Sequence, residues 1–299
     1  MIELHNTIAF TSDNAFVIDN LGRIWWWPVG FCGEPKLIKG ECLPKFVSLS
    51  ANRSLLVAID EYGSLWKATL NPFINVTLVK QHFKRAVVYV HVYFEGSMFF
   101  MLTKDGELWK DLGGHRKRIS NVPPFVKISI NKLSGAIDTQ GKIWVWKKGT
   151  RPHRIELPFK EQAISVISEG CILKILSKDG RIWKYSSNVC KELFDNAILP
   201  KFVSLSASGK HSIGIDEHGN AWSWGNNSNQ ELGIYGIPVV PIPRKVNHSS
   251  PLHSVVCGPN ASLIITKEGD LCLWKDGRKT FPEIPQAMTH LYKAKSARK

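Results

Sequence analysis

The chain repeats one pattern of apolar and polar positions seven times. A short apolar run ends on Asp, Thr or Ser; two residues follow, then Gly, a polar residue, an apolar one and usually Trp. The copies read FVIDNLGRIWWW, VAIDEYGSLW, FMLTKDGELW, GAIDTQGKIWVW, KILSKDGRIWKY, IGIDEHGNAWSW and LIITKEGDLCLW. Period-two alternation on both sides of each glycine predicts two strands joined by a tight turn. The turn glycines are Gly22, Gly63, Gly106, Gly141, Gly180, Gly219 and Gly269, spaced 41, 43, 35, 39, 39 and 50 residues apart. Three positions before them stand Asp19, Asp60, Thr103, Asp138, Ser177, Asp216 and Thr266, each able to cap the turn through a side-chain oxygen.

A second shared segment precedes each hairpin: NTIAF, FVSLSA from Phe46, VVYVHV from Val87, FVKISI from Phe125, AISVIS from Ala163, FVSLSA from Phe202 and HSVVCG from His253. These are short alternating runs, five of them introduced by Pro44, Pro124, Pro158, Pro200 or Pro251, as expected of strand starts. Each unit therefore offers three good strands and a poorer fourth at the edge. Helical periodicity is absent except in the C-terminal MTHLYKAKSARK. One hairpin cannot hide Ile213, Ile215, Trp222 and Trp224 together, so each unit must stack on its neighbours. Apolar positions such as Trp25 to Trp27 in the first unit and Leu263 to Ile265 in the last favour a closed ring over an open stack. Trp26, between Trp25 and Trp27, points to the opposite strand face and is expected to pack on a neighbouring blade.

The expected fold is all-β, a seven-bladed β-propeller with three- to four-stranded antiparallel blades. A single domain covers 1–299, with repeats near 1–43, 44–85, 86–123, 124–160, 161–199, 200–250 and 251–285. Residues 286–299 form either a closing strand or a basic tail.

Charge adds a second theme. The formal net charge is +14, and Lys104 to Arg154 hold twelve basic residues against four acidic ones, a net of +8. The third and fourth repeats are thus a basic sector, with Arg116, Lys117, Arg118, Lys147, Lys148, Arg151 and Arg154 as patch candidates. Either the sector attracts an acidic partner, namely nucleic acid, an anionic membrane leaflet or an acidic protein, or it is a lysine-rich solvated rim. Six cysteines show no C-x-x-C pair and no His at metal spacing, which points to a reduced compartment and no metal site. No stretch approaches 18 uninterrupted apolar residues, so no membrane span is expected. G-x-S-x-G, G-x-x-x-x-G-K-[ST], H-E-x-x-H and G-x-G-x-x-G are all missing from the sequence, so no catalytic residue or cofactor is assigned.

The sixth unit carries a more specific signature: His211-Ser212, Asp216, Gly219, Trp222, Trp224-Gly225, Asn227 and Leu232-Gly233. No Trp-Asp dipeptide occurs, which argues against the WD-repeat class. The unit instead resembles the regulator of chromosome condensation repeat, departing from it at Gln230 and Glu231, where that family has Gly and Gln. The resemblance implies a monomeric protein-binding platform whose partner is another protein. The family's founding member is a nuclear guanine-nucleotide exchange factor for the small GTPase Ran that also docks on the nucleosome's acidic patch. It implies, too, that loops between the first and second strands line the binding face, here Asp13, Asn52, Arg53, Glu95, Lys132, Glu169, Lys210, His211 and Asn260. The short units leave little chain for a projecting wedge, which brings the chain nearer to relatives that only scaffold or inhibit. Such relatives are cytoplasmic, nuclear or delivered into host cells by bacteria, and no import signal in the chain selects among these.

Overall fold

The computed structural model describes residues 7–11, 14–19, 21–28, 35–40, 42–70, 76–93, 96–248, 250–268, 271–275 and 278–280. Among them lie seven four-stranded antiparallel sheets and no helix. Each sheet is one blade of a β-propeller, built from four strands consecutive in sequence. Blade 1 runs from Ile8 to Leu37, blade 2 from Phe46 to Lys80 and blade 5 from Ala163 to Glu192. Blade 3 comprises Val87–Val92, Met98–Thr103, Leu108–Leu112 and His115–Arg118. Blade 4 comprises Phe125–Ser129, Leu133–Asp138, Ile143–Lys147 and His153–Arg154. Blade 6 has its strands at Phe202–Ser208, His211–Asp216, Ala221–Asn226 and Val239–Lys245, and blade 7 runs from Leu252 to Thr280. The fourth strand expected at the edge is present in every blade, as short as Lys36–Leu37 in blade 1.

The tight turns join second to third strands, and a carboxylate organises most of them. Asp60 Oδ1 accepts hydrogen bonds from the amides of Tyr62 (3.0 Å) and Ser64 (2.8 Å), while Oδ2 accepts one from Trp66 Nε1 (2.9 Å). The same clamp recurs as Asp19 with Trp25, Asp138 with Trp144 and Asp216 with Trp222, each at 2.9 Å. Ser177 Oγ replaces it for Trp183 at 3.1 Å, and in blade 3 Glu107 takes the Trp109 N–H at 3.0 Å. The repeated tryptophan is therefore a hydrogen-bond partner of the turn residue as well as packing.

The turn glycines also join neighbouring blades. Gly22, Gly63, Gly106, Gly141, Gly180 and Gly219 all have φ between 77° and 91°, a region only glycine enters without strain. Their carbonyls accept hydrogen bonds from the first residue of the next blade, for example from Phe46 N to Gly22 (2.8 Å) and from Leu252 N to Gly219 (2.7 Å). A Cβ on Gly106 would lie 2.7 Å from Pro124 Cβ. Gly269 lies outside the described residues.

First strands depart from the simple alternation in a regular way. A register shift sits near the start of the first strand in blades 2 to 7. Such a bulge buries residues three apart, as with Phe202 and Leu205, and leaves the intervening Val203 exposed. Serines farther along these strands reach across the blade boundary. Ser50 Oγ accepts from Val92 N, Ser129 Oγ from Ser168 N and Ser206 Oγ from Cys257 N at 2.9–3.0 Å.

The apolar core is a series of inter-blade layers. One face of blade 6 (Ile213, Ile215) packs on Leu252, Val255 and Ile264 of blade 7; the other (Trp224) packs on Leu176 and Ile182 of blade 5. The ring closes through a layer in which Ile8, Val17 and Trp27 of blade 1 meet Leu263, Ile265 and Leu273 of blade 7. Trp26 faces the other way, into the layer shared with blade 2. Residues 286–299, read as closing strand or tail, lie outside the described residues.

Candidate functional site

Because the strands are antiparallel, loops joining first to second and third to fourth strands share one end of every blade. The clamped turns and blade-to-blade crossings occupy the other. At the first end the innermost strands surround a cavity of about 440 Å³, lined from all seven blades by residues including Phe10, Ser50, His91, Ser129, Ser168, Ser208 and Cys257.

The candidates named from the first-to-second loops divide sharply. Arg53, Lys132, Lys210 and Asn260 are exposed at this end, and Arg53 lines the cavity. Asp13 and Glu95 lie outside the described residues. Asn52 and His211 are buried and Glu169 is half-buried, and the polar groups of all three are engaged within the ring. Asn52 Nδ2 donates to the carbonyls of Tyr93 and Gly96 (both 2.7 Å), and its Oδ1 accepts from Ser54 and Leu55 N (both 2.9 Å), tying two blades' loops together. Glu169 is ion-paired with Lys174 at 2.8 Å, and Lys174 Nζ also donates to Ser212 Oγ.

His211 is 1% exposed. Its Nε2 lies 2.8 Å from Ser262 Oγ, whose own proton goes to the Glu231 carbonyl at 2.8 Å. Ser262 therefore accepts from an Nε2–H, and Nδ1, buried with no partner among the described residues, is the bare nitrogen. Burial, reinforced by the Lys174 ammonium, lowers the His211 pKa to about 4, so the ring is neutral near pH 7. Its Ser neighbours carry no nucleophile geometry: Ser212 receives Lys174 and Ser262 donates to a backbone carbonyl. Burial raises the thiols of Cys190 to about 11 and Cys257 to about 12, leaving both protonated and inert. No group of three metal-ligating side chains occurs among the described residues.

The sixth unit's departures from the repeat pattern have structural counterparts. Gln230 adopts φ 56°, a conformation suited to the glycine that the resemblance places there. Glu231 is fully buried, with Oε2 accepting from Asn229 N at 2.7 Å and Oε1 without a partner among the described residues. Asn227 holds the long excursion by donating to the carbonyls of Ile234 and Ile237 and accepting from Leu232 N.

The basic sector is more organised than its spacing suggests. Arg116 is neutralised by Asp111 at 2.8 Å, and Arg154 pairs with Glu156 at 3.0 Å. The other five candidates, Lys117, Arg118, Lys147, Lys148 and Arg151, line a cavity of about 280 Å³ between blades 3 and 4. Lys110 joins them, and Tyr93, Met98, Phe100 and Trp146 supply an apolar floor. Sequence reasoning missed Lys110 and this floor, because their convergence depends on which faces of adjacent blades meet. Ile130 and Asn131 line both this groove and the central cavity, so the two open on the same end of the propeller.

The regulator of chromosome condensation (RCC1) repeat matches at residues 202–231 and again at 218–265. The mitochondrial RCC1 domain-containing protein RUG3 of Arabidopsis thaliana is 24% identical over 204 residues, 54% of this chain and 46% of that protein. The protein RCC2 homolog of Xenopus laevis is 26% identical over 137 residues, 40% of this chain and 27% of that protein. This chain thus spans less than half the length of either relative. Among solved structures, human WBSCR16 superposes with a TM-score of 0.71 at 12% identity, covering 90% of this chain and 86% of that one. Prp20p of Saccharomyces cerevisiae, a protein with binding properties toward Gsp1p and histones, gives a TM-score of 0.70 at 16% identity, covering 86% and 81%. With seven four-stranded blades, the chain is a seven-bladed β-propeller, and it matches the regulator of chromosome condensation repeat over residues 202–265.

Proposed function

We propose that this propeller is a non-enzymatic protein-binding platform, and that a small GTPase of the Ran type, docked over the central cavity, is the partner to test first. One observation carries the platform reading. The buried polar groups that resemble chemistry, Asp216, His211, Ser212 and the Glu169–Lys174 pair, are all engaged in holding turns and blades together. What varies from blade to blade and faces solvent is the loop end, with Arg53, Lys132, Lys210 and Asn260. The fold likeness to Prp20p, which binds Gsp1p and histones, supports the choice of GTPase. A nuclear or cytoplasmic site of action belongs to the same proposal.

The test is release of a fluorescent guanine nucleotide from a panel of GTPases, with binding measured in parallel on the nucleotide-free forms. Accelerated release supports an exchange factor. Binding without acceleration leaves a scaffold or inhibitor, and neither at micromolar propeller overturns the GTPase assignment. A second reading, an acidic or nucleic-acid partner held by blades 3 and 4, is favoured by the convergence of six cationic side chains on one groove.

A further inference from the structure

We infer that the groove between blades 3 and 4 binds an extended acidic peptide segment of a partner protein, seating one apolar side chain between flanking carboxylates. The inference deepens the platform reading by giving the partner's chemistry, and it does not depend on that partner being a GTPase.

Lys110 stands directly opposite Lys117 across the third and fourth strands of blade 3, a like-charge pairing that destabilises a sheet. Among the described residues neither has a carboxylate within ion-pair distance, and the same holds for Lys147, Lys148 and Arg151. Arg118, paired with Glu107 at 3.3 Å, is the exception in the groove. Elsewhere on these blades the protein does neutralise its arginines, as Arg85 with Glu107 at 3.1 Å and Arg116 with Asp111 at 2.8 Å show. Five uncompensated cations around one cavity are therefore a local property, complementary to an anionic ligand.

The floor decides which anion. Phe100 and Trp146, with ring centroids 6.4 Å apart, form the bottom with Met98 and Tyr93, and Lys148 Nζ lies 6.0 Å from the centre of the Tyr93 ring. A phosphate backbone would satisfy the lysines and leave this apolar surface wet. Stacking of bases calls for a series of aromatic faces along a strip, whereas Phe100 and Trp146 lie together at the bottom of a single pocket. A volume of about 280 Å³ accommodates one large apolar side chain, and carboxylates two or three residues to either side would reach the lysine rim. Such a segment would continue over Ile130 and Asn131 into the central cavity, placing its parent protein over the loop end.

The probe is a fluorescein-labelled peptide, Asp-Glu-Asp-Phe-Asp-Glu-Asp, titrated by anisotropy with the intact protein. Saturable binding is expected, weakened about tenfold or more when Phe is replaced by Ser. The charge-reversed protein Lys147→Glu/Lys148→Glu should also lose tenfold or more, while Lys160→Glu/Lys178→Glu, equal in charge but on solvent-exposed positions outside the groove, should bind normally. Both pairs are exposed, and an unchanged melting temperature checks folding. No saturable binding overturns the inference. So does equal weakening by the two charge reversals, indifference to the Phe→Ser change, or stronger binding of a length-matched single-stranded oligonucleotide, each of which describes a surface that reads charge alone. Peptide binding without nucleotide release would separate this site from the GTPase assignment.

Discussion

Removing the carboxylate of Asp60 tests the turn clamp most directly. In Asp60→Ala three donors lose their acceptor: the amides of Tyr62 and Ser64 and the indole N–H of Trp66. Tyr62 is 76% exposed, so the turn amides recover water and about 0.5–1.5 kcal/mol each is the appropriate loss. The Trp66 N–H bonds a charged acceptor that is 2% exposed, worth about 1.5–3 kcal/mol. Together the substitution should destabilise by about 2.5–6 kcal/mol. Trp66→Phe removes one of the three bonds, and its edge-on contact with Phe46, at 5.8 Å, survives with the smaller ring. Urea denaturation followed by far-UV circular dichroism on the two single variants and the double variant gives the coupling between Asp60 and Trp66. Its expected size is about 1 kcal/mol or more, since the pair is in direct contact. A coupling below about 0.5 kcal/mol at unchanged m-value would refute the clamp and return the tryptophan to packing alone. Thr103→Ala is the internal comparison. Thr103 Oγ1 accepts only the Glu107 amide at 3.1 Å while Glu107 holds Trp109, so the loss there should be about 1 kcal/mol.

Two further outcomes follow from other parts of the molecule. Gly106→Ala should destabilise by roughly 2–4 kcal/mol, combining strain at φ 78° with displacement of Pro124, whereas Gly236→Ala, at φ 73° with nothing within 4 Å, should lose only about 1 kcal/mol; equal losses in thermal melts would disprove the inter-blade joint. His91 and His211 are both lowered to about 4, chiefly by burial, against Ile130 backbone hydrogen bonding in the first case and with the Lys174 charge in the second. The unfolded chain therefore binds their protons first, and stability should fall as pH drops from about 6.5 to 4, by up to about 1.4 kcal/mol per pH unit for each ring. His211→Gln should flatten that slope by one ring's share, and an unaltered slope measured by urea titration would contradict the assignment.

How much of this was legible in the sequence depended on whether a feature is local in the chain. The Asp-x-x-Gly turns and their flanking strands were readable because turn chemistry and period-two patterning act within a dozen residues. Seven copies then implied a ring, since Ile213 and Trp224 need partners on opposite faces. The first-strand bulge was not readable: FVSLSA looks like plain alternation, and only pairing against the second strand shows Phe202 opposite Asp216 but Ser204 opposite Ile215. Nor was the burial of Asn52 and His211, whose polar side chains suit a loop surface equally well; their partners lie on neighbouring blades, 41 residues away for Asn52 with Tyr93 and 51 for His211 with Ser262. The lysines of the groove could be counted in advance, but their sharing of one cavity with Phe100 and Trp146 could not. That arrangement is set by the contact between two blades.

The joint between each turn glycine and the next blade has a consequence for how such a chain can change over time. At that end the hairpins of the six described turn glycines are fixed in length, because each glycine carbonyl meets the following strand's first amide and a Cβ on it would lie within 3 Å of the residue leading into the next blade. An inserted residue there would disturb two blades at once. The opposite end has no such register. Its third-to-fourth connections range from two residues in blade 3, Gly113 and Gly114, to the twelve that separate Asn226 from Val239 in blade 6. Insertions can accumulate there without altering the ring, so new partner specificity can arise on that end while the other keeps the seven blades in step.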